Sequence, residues 1–278
     1  MPYALEAAEI ARRQFSVDLA EKQYLIASRG KPRDNSVQFQ IDRGLGEDQM
    51  LGGKNANAES SLDAAVRLAD NEYDRAEEIG KQGELAFKRG DMETATVKLE
   101  ESIRGLGAYV PKSGFVMAGM FIYEFLVQVL HTLLPGVFVE RKGRLPDSRE
   151  RLRLHFGSRY AQACWFARSK IRCMWTHFRT LNLAEEFQPC PEVAQAYSDH
   201  APAMSLVPWP SRGIRYAERS LQMRRELRDM WGQGQSLHYY GIELYSAARF
   251  EECIDKCREA VRLLEQTGDH WEIHMARY

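Results

Sequence analysis

Small and large apolar residues alternate at helical spacing along two tracts, Arg33 to Val110 and Ser211 to Tyr278, and none of the ten prolines falls inside either. Proline costs about 3 kcal/mol inside a helix, so proline-free tracts rich in Ala, Leu, Glu, Lys and Arg predict an all-helical array. In the first tract Gly46, Gly53, Ala58, Leu62 and Ala65 recur as Gly83, Gly90, Ala95, Leu99 and Ser102, a displacement of 37 positions. In the second half Ala201, Gly213, Ala217 and Ser220 recur as Gly241, Cys253, Cys257 and Ala260, displaced by 40. Antiparallel helices approach closely only where small side chains face each other, and larger apolar residues fill the gaps between successive hairpins.

This spacing resembles the tetratricopeptide repeat, a helix hairpin of about 34 residues. The clearest unit runs from Gly241 to Val261, where Gly241, Leu244, Ala248, Phe250, Cys253, Cys257 and Ala260 meet that repeat's order of small, large and aromatic positions. Gly83 to Ile103 is the next clearest, then Gly46 to Ala65. Pro208 and Pro210 disturb the inter-helix turn of Ala201 to Ser220, and a degenerate unit is expected between Tyr160 and Pro189, closed by Ala184 and Pro189. One repeat beyond Gly241, Trp271 and Tyr278 take the aromatic positions of another first helix, so the chain is expected to stop in mid-repeat, as a segment of a longer protein does. The resemblance implies an all-α fold, a right-handed α-solenoid of tetratricopeptide-like helix hairpins with a central apolar helical insertion. The expected division is N-terminal repeats over 1–106, an apolar helix and basic insertion over 107–158, and C-terminal repeats over 159–278.

The insertion holds the apolar run Phe115 to Leu134, close to the ~20 residues that span a bilayer. Glu124, Gln128 and His131 lie four and three apart, which puts them on one helical face and makes the helix amphipathic. A buried or partner-packed helix is therefore expected over a membrane helix, because a charge at mid-bilayer is costly. Pro135 and Gly136 end it. The stretch Arg141 to Trp175 is basic with interleaved aromatics, and arginine stems covering apolar surface account for it without RNA.

Charge removes further classes. Lys plus Arg number 38 against 39 Asp plus Glu, a net charge of -1, which offers no field for nucleic acid. Five cysteines without framework spacing, and an N-terminus without an apolar signal core, point to a reducing cytoplasm. Leu45 to Asn55 imitates a phosphate loop, but Asp48 and Asn55 stand where that loop needs Gly and Ser or Thr, and a turn between two repeat helices is expected. Cys253 and Cys257 fit interior packing, and His270 and His274 lack the glutamate of a zinc helix. No cofactor, metal site or catalytic residue is expected, and the chain reads as a non-enzyme.

In the second half, His200 to Leu206, Arg215 to Leu227, Trp231 to Tyr245 and Arg249 to Glu265 resemble the helical-repeat region of large bacterial signalling ATPases, and Leu126 to Val139 resembles that region's apolar insertion. The resemblance implies a protein-interaction scaffold serving ATPase, kinase or histidine-kinase modules that lie outside this chain. The carboxylate clamp of chaperone-binding repeats is absent, since Arg43 and Glu47, Gly80 and Glu84, and His238 and Ile242 occupy its places. First helices line the concave face of such arrays, which makes Glu84, Lys88, Gln235, His238 and Ile242 the exposed candidates for holding a protein or peptide. The apolar helix could fill that groove instead and block it in cis.

Overall fold

The computed structural model describes residues 2–30, 32, 34–167, 169–206 and 209–277. Pro208 and Tyr278, singled out above, lie outside the described residues. Fifteen α-helices and one 3-10 turn account for the regular structure among them, and the chain divides into two compact units: 1–107 with 265–274, and 108–264 with 275–278.

The first unit is three antiparallel hairpins: α1 (Pro2–Arg13) with α2 (Val17–Arg29), α3 (Asn35–Leu51) with α4 (Asn55–Leu68), and α5 (Glu72–Lys88) with α6 (Met92–Gly105). Their starts follow from capping: Asp34, Asn71 and Asp91 each precede a helix and accept a backbone N–H of its first turn. The 37-residue displacement is one contact made twice. A Cβ on Gly46 would stand 2.6 Å from the Leu62 side chain, and a Cβ on Gly83 would stand 2.7 Å from that of Leu99. Ala58, Ala65, Ala95 and Ser102 are fully buried in the same two hairpins. Gly53 and Gly90, also 37 apart, take φ of +72° and +83° in the turns, a left-handed backbone that favours glycine. The phosphate-loop imitation is the end of α3, residues 45–51, followed by such a turn into α4.

The second unit begins with α7 (Gly114–Leu133) and the short α8 (Pro135–Phe138). Three hairpins follow: α9 (Ser148–Phe166) with α10 (Lys170–Ala184), α11 (Pro191–Ala203) with α12 (Pro210–Glu226), and α13 (Met230–Ser246) with α14 (Phe250–Leu264). The degenerate unit anticipated at Tyr160 is thus a hairpin, but it starts at Ser148, behind a capping box of Asp147 and Glu150, inside the segment assigned to the insertion. Ser220 on α12 bonds the Ala194 carbonyl of α11 at 2.7 Å, as Ser102 bonds that of Ala76 in the first unit at 2.6 Å. Gly241 meets Cys257 Sγ, which explains the small residue and the cysteine. Pro210 opens α12, where its missing N–H costs nothing. Residues 265–274 belong to the first unit, where Trp271 of the last helix, α15 (His270–Arg277), packs on Phe87 with ring centroids 5.4 Å apart.

Helix α7 is long and apolar enough to cross a membrane by length and composition, yet it packs on α10 with its polar side. Glu124, Gln128 and His131 are 5%, 3% and 4% exposed, whereas Phe115 and Leu133 are 93% and 68% exposed. Each of the three has a partner, while Gln128 Oε1 and Asn182 Oδ1 are buried without one. Glu124 accepts from Arg179 at 3.1 Å and from Asn182 at 2.9 Å; Glu185 accepts from Gln128 at 3.0 Å and Tyr216 at 3.3 Å, and lies 2.8 Å from His131 Nδ1. The expected helical face is real, but it faces inward, and the apolar face is outside.

Beside this seam, Arg212 donates to His200 Nε2 at 3.0 Å, and His200 Nδ1 lies 2.9 Å from His177 Nε2. With Nε2 accepting, the His200 proton sits on Nδ1 and is donated to His177. Burial holds the His177 ring neutral at about 4 and that of His200 well below its ordinary value.

Candidate functional site

In the first unit α1, α3 and α5 are the first helices of successive hairpins, and their facing residues enclose a cleft of about 790 Å³. Its charged lining is Glu6, Glu9 and Arg12 from α1, Arg43 and Glu47 from α3, and Glu77 from α5. Helical spacing places Gln40, Arg43, Gly44 and Glu47 on one face of α3. Gly44 is required there: a Cβ would stand 2.3 Å from the Tyr24 ring of α2. The Tyr24 ring occupies that space, and its hydroxyl donates to Glu9 of the lining.

Ion pairs tie the three helices together. Arg12 bridges to Glu47 and, at 3.3 Å, to Asp48; Arg43 bridges to Glu77 and, at 3.4 Å, to Glu78. Lys81 on α5 reaches Glu47, Glu77 at 3.2 Å and Glu78 at 2.8 Å. Burial would raise the Glu47 carboxyl, but Lys81, Arg12 and Arg43 outweigh it and hold the group at about 2. Asp48 goes the other way, because burial pushes it up to about 7 against the pull of Arg12. Glu78 is also raised, chiefly by burial. Carboxylates outnumber cations in this cluster, and Glu6 and Glu9 are exposed at its edge. The arrangement is suited to holding positive charge; among the described residues lining it there is no serine, cysteine or histidine to serve as a nucleophile or base.

The anticipated site residues are distributed differently. Glu84 and Lys88 are half-buried on α5, and Lys88 is bound by Asp269, which heads α15, at 3.0 and 3.1 Å. On α13, Ile242 is exposed as expected, but Gln235 and His238 are not: both are buried, and burial lowers the His238 ring to about 4. The first helices carry a layer of side chains wedged between neighbouring hairpins, and the register places Gln235 and His238 in it. Nor does α7 fill a groove, since its apolar face is uncovered.

Glu9, Arg12, Glu77 and Lys81 were missed, and Arg43 and Glu47 were weighed only as a failed clamp. A signal for them existed: Arg43 and Glu77, and Glu47 and Lys81, are opposite charges 34 positions apart, three short of the 37-position displacement that separates equivalent positions of α3 and α5. Among the described residues no group of three or more His, Cys, Asp or Glu is placed to hold a metal ion.

These features define an all-α solenoid fold of tetratricopeptide-like hairpins. Two solved structures share it. A Rap protein, solved in complex with Competence and Sporulation Factor, aligns over 99% of this chain and 68% of its own, with a TM-score of 0.57 and 12% identity. BtubC (BKLC) from P. vanneervenii aligns over 91% of this chain and 90% of its own, with a TM-score of 0.52 and 13% identity. At such identity the likeness is one of fold. No family model matches the chain, and no curated protein matches it.

Proposed function

We propose that the chain is a non-catalytic protein-binding scaffold whose first-unit cleft takes a basic segment of a partner protein. The observation that carries this reading is the excess of carboxylates over cations on α1, α3 and α5 around the cleft, where the Tyr24 ring fills the space that a side chain on Gly44 would take. Cations buried there are already paired, so Glu6 and Glu9 supply the attraction for incoming Lys or Arg. A curved row of first helices supplies shape, and the side chains supply specificity. The Rap protein's complex with Competence and Sporulation Factor supports binding as a use of this fold.

The sequence resemblance extends the reading to cytoplasmic signal transduction in a bacterium, with ATPase, kinase or histidine-kinase modules as the parts served. On this reading Ile242 belongs to a second contact surface on α13. A labelled peptide of alternating Lys and Leu, compared with its Glu and Leu counterpart, tests the cleft. The basic peptide should bind more tightly, lose affinity as salt rises, and bind about 10-fold more weakly to the Glu6→Lys, Glu9→Lys chain. Equal binding of both peptides, or hydrolysis of ATP by the purified chain, would overturn the proposal.

A further inference from the structure

The outward face of α7 has a pattern of its own. Phe115, Gly119, Ile122, Leu126, Val129 and Leu133 are all exposed, and their spacings of 4, 3, 4, 3 and 4 match those of a coiled-coil seam. Lipid needs an apolar face but no register, whereas a 3.5-residue seam is what a second helix requires. The spacing also reads the same in both directions. Two such helices laid antiparallel about position 124 would bring Phe115 to Leu133, Gly119 to Val129 and Ile122 to Leu126, each seam residue meeting another. The glycine has nothing within 4 Å of where its Cβ would stand.

Area supports the same occupant. Nine large apolar side chains of α7 are exposed. Together they leave on the order of 1,000 Å² uncovered, above the ~300–600 Å² patch of a typical monomer and level with the roughly 800 Å² that each partner buries in a stable complex. An anionic bilayer is the weaker match, because the basic residues after α7 are engaged within the chain. Arg141 pairs with Glu186, Lys142 with Glu186 at 3.0 Å, and Arg144 with Glu150 at 2.7 Å. The inward face cannot serve a partner, since α10 and α12 hold it through hydrogen bonds.

We propose that α7 is a dimerisation helix, pairing antiparallel with α7 of a second copy of this chain across a two-fold axis near position 124. A two-fold interface is self-complementary, which the palindromic seam satisfies. Sedimentation equilibrium at about 1 to 50 μM should return twice the 32.0 kDa chain mass. Leu126→Glu should raise the dissociation constant about 100-fold or more, because the substitution enters the interface twice, while leaving the helical circular dichroism melt in place. Under oxidation, a mixture of Ile122→Cys and Leu126→Cys chains should form mixed disulfide dimers, and Ile122→Cys alone should not. A monomer throughout the concentration range overturns the proposal. So does a dimer that Leu126→Glu leaves intact, or a monomer that floats with phosphatidylcholine and phosphatidylserine vesicles. If Leu126→Glu does not fold, Phe115→Ser with Leu133→Ser, at the two exposed ends of the seam, reads the same equilibrium.

Discussion

The hairpin α5/α6 and the pair α7/α10 solve helix packing in opposite ways. In the hairpin, Gly83 admits Leu99 and the fully buried Ala95 lies on the same side, so contact is close and apolar. In the other pair Glu124, Gln128 and His131 of α7 are joined to Arg179 and Asn182 of α10 and to Glu185 at its end, with the apolar residues facing out. Close apolar packing draws its stability from area removed from water and tolerates little change in volume. A buried polar seam contributes little net stability while complete, and becomes costly when one member is lost.

The largest effect should come from the polar seam. Glu185→Ala strands Gln128, His131 and Tyr216 in a buried site, and should cost roughly 3–5 kcal/mol in urea unfolding. A cost under 1 kcal/mol would mean that α7 is held by its few apolar contacts, such as Phe121 with Phe178 at 5.9 Å, and the contrast would dissolve.

A buried acid within a hairpin interface gives an intermediate effect with a pH signature. Glu243 on α13 is fully buried against Gly213, and burial raises its carboxyl to about 7. Below its unfolded value near 4.5 the acid is neutral in both states and carries no ionisation penalty. As pH rises toward 7 the unfolded chain ionises first, so stability falls across that window and levels above it. Glu243→Gln should therefore match the natural chain in unfolding free energy near pH 4.5 and exceed it above pH 7, by on the order of 1–3 kcal/mol in urea unfolding. An offset that does not vary with pH would place the carboxyl in contact with solvent.

A pair of glycine variants, which includes the smallest effect, sharpens the comparison most directly. Gly83→Ala should destabilise by about 1–3 kcal/mol, since its methyl would also stand 3.1 Å from the Leu99 backbone nitrogen, which cannot turn aside. Gly119→Ala on α7 meets nothing and should stabilise the monomer by about 1 kcal/mol through helix propensity. Thermal melts of the two variants moving in the same direction would show that the hairpin and α7 are packed alike.

Much of the repeat architecture was legible because it rests on local volume. Gly46 and Gly83 recur with Leu62 and Leu99 because each pair is the same contact, and Gly53 and Gly90 because each turn needs the same backbone. The cleft was less legible. Arg12, Arg43, Glu47 and Lys81 are ordinary charges at ordinary helical spacing, and only their opposition across successive first helices sets them off. Gln235 and His238 misled for the converse reason: polar side chains on a first helix look exposed until the neighbouring hairpins close over them.

The sequence by itself determined the helices, their small-residue contacts and the existence of two faces on α7, since each depends on residues within one or two turns or one repeat of one another. Which face of α7 turns inward was decided only by the tertiary structure. Glu124, Gln128 and His131 find Arg179, Asn182 and Glu185 some 54 to 58 positions away, and only when α10 presents those partners does burying the polar face cost less than leaving it in water.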